Sequence, residues 1–168
     1  MPASIVLAAI AIATGTDSDP DITFAKWQTF DARRDTVEIW LRPKWQDGQR
    51  QLPDYLLRRT VSYRPDLKLS GHATYWASSS TCPQGRAVLD QLSKLPTPTI
   101  TVPGVSDEEA ITVSADGASY RLVVAGHYPF EPGRIELTFG TKTPVASWID
   151  QGFRSLATCW QKQRPTNW

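Results

Sequence analysis

The chain has 168 residues, of which 40% are hydrophobic and 21% charged, the make-up of one ordinary domain. At this length folding buries roughly two thirds of the surface of the unfolded chain, so neither a metal nor a dense disulfide framework is required. Seven Trp, five Tyr and five Phe exclude disorder as the overall description, and 18 basic against 17 acidic residues lack the footprint of a nucleic-acid binder.

Pro2 to Ala13 form an uncharged apolar run, shorter than the roughly 20 residues that span a bilayer core. Ala11-Ile12-Ala13 supplies an A-x-A cleavage site, and after Gly15 the composition turns acidic and polar through Asp17, Asp19 and Asp21. The pattern predicts a signal peptide over 1–15, a mature domain over 16–168, and a periplasmic or secreted location without an integral membrane span. No basic n-region precedes the run, so a buried N-terminal strand or helix of a cytosolic protein stays open as the alternative.

Ile22–Phe30 and Asp35–Arg42 read as strands. In the second, Val37, Ile39 and Leu41 alternate with Glu38, Trp40 and Arg42, the period of a half-buried strand. Pro43–Pro53 carries turn formers and no apolar period, which predicts an exposed loop around Asp47-Gly48 with Trp45 in its middle. Arg58–Tyr63 and His72–Ala77 are further strands. A helix is expected over 83–95, with Pro83 at its first position and Val88, Leu89, Leu92 and Leu95 at helical spacing.

Asp116-Gly117 is the strongest hairpin signal, joining Ile111–Ala115 to Ser119–Val124. A strand over Ile135–Phe139 follows a turn at Glu131-Pro132-Gly133. A last amphipathic helix is expected from Thr143 to about Lys162, with Val145, Trp148, Ile149, Phe153, Leu156, Trp160 and Cys159 on one side, before a frayed tail. The fold class is α+β: an antiparallel sheet packed against two helices, with one disulfide.

That disulfide is Cys82–Cys159, because an even cysteine count in an exported chain favours pairing. A reactive thiol at Cys82, ahead of Pro83 at a helix start, is the competing reading. No further cysteines exist for a zinc site, and neither His72 nor His127 has metal-ligand spacing, so no metal or cofactor is expected. G-x-S-x-G, Ser-x-x-Lys and glycine-rich phosphate loops are absent. A small hydrolase could still assemble His72 or His127 with Ser78, Ser79 or Ser80, although serines before a helix are first of all capping residues.

Trp40 falls on the polar side of its strand beside Glu38 and Arg42, and Trp45 follows near Lys44 and Arg50. Such aromatics can stack on a sugar ring or fill a partner's pocket, or else lie under a covering segment. Residues 26–68 hold ten basic against six acidic side chains, a weak lean toward an anionic partner. The leading expectation is therefore an exported protein of binding or envelope-structural type, meeting an envelope or extracellular partner through Trp40 and Trp45. The hydrolase is the alternative.

Overall fold

The computed structural model describes residues 18–28, 33–63, 71–98, 117–128, 131–166 and 168. The leader over 1–15 and the strand expected at Ile111–Ala115 lie outside them. In chain order the elements are β1 (Ile22–Gln28), β2 (Arg33–Gln46), β3 (Gln49–Tyr63), β4 (His72–Ser78), α1 (Gln84–Leu92), β5 (Ala118–Tyr128), β6 (Glu131–Phe139) and α2 (Pro144–Ser155). The strands form one antiparallel sheet in the order β4-β3-β2-β1-β5-β6, and both helices contribute to the core on one side of it, an α+β fold.

Register turns alternation into a core. Val124, Ile22, Ile39, Leu57 and Ala77 stand in one row across five strands, and Leu122, Phe24 and Val37 begin the next. Of these, all but Val124 are buried, because side chains two apart leave a strand on the same face and this is the face that meets the two described helices. Val88 of α1 and Val145, Trp148 and Ile149 of α2 close over them. The rings of Phe24 and Trp148 meet edge to face with centres 5.1 Å apart, and the Trp148 indole donates to the Val88 carbonyl at 3.0 Å, joining the helices. Thr143 caps α2 by accepting from the Ala146 N–H, with Pro144 at the first position.

Several boundaries differ from those the sequence suggests. The segment Pro43–Pro53 is a β-hairpin, with Asp47 and Gly48 both at positive φ (51° and 75°) between paired strands. It lacks apolar alternation because it projects away from the core: Trp45 and Leu52 are 65% and 67% exposed. Glu131-Pro132-Gly133, expected as a turn, pairs with Tyr128, His127 and Gly126 inside the last hairpin. Pro83 sits one place earlier than expected, as the N-cap of α1.

Helix α2 ends at Ser155 instead of near Lys162, so Cys159 and Trp160 follow the helix and do not extend its stripe. The chain turns back, and Gln161 exchanges two backbone hydrogen bonds with Trp76 on the outer edge of β4, at 2.7 and 2.9 Å. Those bonds, the Arg164 guanidinium 5.0 Å from the Trp76 ring centre and the Trp168 ring 4.7 Å from Arg42 hold the tail expected to fray.

Cys82 and Cys159 form a disulfide joining the residue before Pro83 to the segment after α2. Both are buried, and the Cys82 carbonyl accepts the Tyr55 hydroxyl at 2.5 Å. A 77-residue separation makes chain-entropy stabilisation about 4.5 kcal/mol before strain. Cys82→Ser is accordingly expected to lower stability by about 2 to 5 kcal/mol in denaturant melts, and thiol titration of the oxidised protein to find no free cysteine. Under the same bridge, a Cβ at Gly85 would stand 2.6 Å from Cε2 of the buried Tyr55 ring. Gly85→Ala should therefore cost about 1 to 3 kcal/mol, while Gly152→Ala, whose Cβ would meet Val88 and Phe24 at 3.5 and 3.6 Å, should cost little.

Candidate functional site

The face of the sheet turned away from the helices is built in rows too. Glu136, Val123, Thr23, Glu38, Arg58 and Trp76 form one row across all six strands. Thr138, Arg121, Ala25, Thr36, Thr60 and Thr74 form the next. Trp27, Arg34, Ser62 and His72 continue beyond the threonines, and Trp40, Leu56 and Ser78 lie on the other side of the first row. Alternation thus sends Trp40 to the side opposite Val37 and Ile39.

Trp40 joins a stack there. The Arg58 guanidinium lies 5.1 Å from the Trp40 ring centre and 5.8 Å from that of Trp76, and Arg164 covers Trp76 at 5.0 Å. Glu38 fixes Arg58 by accepting from Nε and Nη2 at 2.6 and 3.0 Å, a two-pronged geometry that only arginine offers. The Trp40 indole donates to the Ser18 carbonyl at 2.7 Å, so the start of the described chain also anchors here. A second pair, Arg34 over Trp27 at 5.2 Å, stands at the other side of the threonine row. Arg121 donates to Glu136 at 2.6 Å and holds that carboxyl below the usual range. On this face Trp27, Trp40, Trp76, Thr36, Thr60 and Thr74 are half-buried, and Ala25 and Leu56 are buried.

Trp45 is not part of the stack. It follows Trp40 by five positions, beyond a register shift between Arg42 and Lys44, and an odd spacing along a strand directs side chains to opposite faces. The residues that sequence patterning missed are Arg58, Trp76 and Arg164. The first two become visible once Glu38 and Arg58 are paired across the β2–β3 hairpin.

The hydrolase alternative calls for a histidine beside a serine. His72 and Ser78 occupy the two ends of β4, six residues apart or about 20 Å along an extended strand. Ser78 Oγ instead pairs with Ser80 Oγ at 2.9 Å and Thr81 Oγ1 at 3.3 Å, and Ser79 donates to Asp54 at 3.1 Å. The side chain of His127 lies outside the described set. Among the described residues no group of three or more His, Cys, Asp or Glu is arranged to hold a metal, and no helix is long and apolar enough to cross a membrane. No family model matches the chain, and neither a curated protein nor a solved structure matches it significantly.

Trp40→Ala and Trp45→Ala separate anchoring from exposure. The first removes a cation–π partner and the indole hydrogen bond and is expected to cost about 1 to 2 kcal/mol in thermal melts. The second, at an exposed hairpin position, should stay within about 0.5 kcal/mol of the parent.

Proposed function

We propose that this chain is a non-catalytic, exported binding domain of the bacterial periplasm that uses its open sheet face to hold a glycan of the cell envelope. The observation carrying this reading is the Trp40–Arg58–Trp76 stack with Glu38, set on the face away from the helices. Indoles packed against a guanidinium supply apolar planes of the kind that stack on pyranose rings, at little entropy cost on binding. The neighbouring Thr36, Thr60 and Thr74 supply hydroxyls that can donate to and accept from sugar hydroxyls. The disulfide is consistent with an oxidising, exported environment.

Co-sedimentation with purified peptidoglycan sacculi tests the reading. The parent protein is expected to pellet with sacculi, and Trp76→Ala to weaken that association by roughly fivefold or more while remaining folded by circular dichroism. Unchanged retention of Trp76→Ala, or no retention of the parent, would count against it. Export makes its own expectation: the mature N-terminus should lie between Thr14 and Asp17 by intact-mass analysis of the envelope fraction.

A further inference from the structure

The third row on the helix side of the sheet breaks the apolar pattern. Beyond Leu122, Phe24 and Val37 come Tyr120, Lys26 and Asp35, and Arg59 continues the second row between Val37 and Tyr75. The second half of α2 overhangs them with Asp150, Phe153 and Arg154, leaving a cleft of about 370 Å³ lined by Lys26, Asp35, Arg59, Asp150, Phe153 and Arg154. That volume lies within the range of small-ligand pockets.

Both carboxylates in the cleft are committed to protein donors. Asp35 accepts from Arg59 Nε and Nη2 at 2.8 and 2.7 Å and from Arg33 at 2.9 Å. Asp150 accepts from Lys26 Nζ at 2.6 Å and from the Tyr120 hydroxyl at 2.9 Å. Three cations serve these two anions, and Arg154 brings a fourth that has no ion pair or side-chain hydrogen bond among the described residues. Burial alone would lower the pKa of Lys26, but the hydrogen bonds with Asp150 and Tyr120 outweigh it and raise the pKa above the usual lysine value. The cleft therefore keeps its positive excess at neutral pH.

The ion pair of Asp150 with Lys26 and its hydrogen bond from Tyr120 also clamp α2 to β1 and β5, which accounts for those two residues. They do not account for Arg154, which clamps none of the described elements. Nor do they use up the donors: Asp35 takes two of the five N–H groups of Arg59, and Asp150 one of the three on Lys26. Beside these donors stands Phe153, whose ring makes an edge-to-face contact with Phe24, centres 5.3 Å apart, and lies 5.8 Å from the Arg59 guanidinium.

We propose that this cleft binds a small organic oxyanion, a phosphate or carboxylate on a flat apolar group, with its anionic head among Lys26, Arg59 and Arg154 and its apolar part against Phe153. The site is separate from the open face and does not depend on how that face is used.

Calorimetric titration of the oxidised protein with phenyl phosphate, benzoate and inorganic phosphate at low salt tests this, since the first two distinguish phosphate from carboxylate and the third lacks the apolar part. At least one aromatic anion should saturate with Kd about 1 mM or tighter and more tightly than inorganic phosphate. Arg154→Gln should weaken it at least about fivefold, the loss of a charge-assisted contact, without changing the melting temperature. Backbone amide shifts on binding should centre on Lys26, Asp150 and Phe153. No saturation of either aromatic anion by about 10 mM, inorganic phosphate binding as tightly as both, or parental affinity in Arg154→Gln would overturn the proposal.

Discussion

Cys82 determines where both helices can sit. Its sulfur is bonded to the segment leaving α2, its carbonyl takes the Tyr55 hydroxyl rising from β3, and it lies just ahead of the cap of α1. Helices of nine and twelve residues are too short to be stable alone in water, so their order comes from what they are packed against and tied to. One buried point holding a strand and both helix segments fixes their spacing, and Phe24, Trp148 and Val88 pack within that spacing. The tight seat of Gly85 on the Tyr55 ring belongs to the same junction, because a larger residue there would push α1 away from the strand that carries the hydroxyl.

On the other side of the sheet no helix stands among the described residues, yet Ala25, Leu56 and Val123 are buried there. The described side chains around them include long ones, Trp27, Arg34, Trp40, Arg58, Trp76 and Arg121. Arginine and tryptophan are suited to this because each has an extended apolar body with a polar rim, so a layer of them excludes water from the backbone while keeping charge and N–H groups at the surface. Glu38, Glu136 and Asp19 each accept from one of Arg58, Arg121 and Arg134 at 2.6 to 2.7 Å, which keeps the layer ordered.

How much of this can be read from the residues depends on register. Where one face of a strand is apolar, as at Val37 and Ile39, alternation is sufficient, and the opposite placement of Trp40 follows from it. The hairpin beyond is polar on both faces and gives no such signal. Extending the Gln46–Gln49 pairing regularly along that hairpin would set Glu38 against Leu57, and the irregularity between Arg42 and Lys44 moves its partner to Arg58. A one-residue slip exchanges the faces, so the stack and the charged row were hidden behind a bulge that no local residue preference announces. The early end of α2 is of the same kind. Leu156, Cys159 and Trp160 continue a plausible helical stripe, but the disulfide and the pairing of Gln161 with β4 are long-range demands that override it.

The Gln161–Trp76 pairing bears on how the protein behaves in company. An outer strand with open N–H and C=O groups can recruit a strand from another molecule, and natural sheets guard against this. Among the described residues the guard on β4 is Gln161, two positions after Cys159, so the covalent bond that positions the helices also stands next to a stopper at the sheet margin. Reduction would leave that stopper to its two hydrogen bonds and the Arg164–Trp76 and Arg42–Trp168 contacts, while the hairpins of the sheet keep their ladders. Self-association in a reducing environment would then begin at the β4 side, tying the colloidal behaviour of the chain to the redox state of its surroundings.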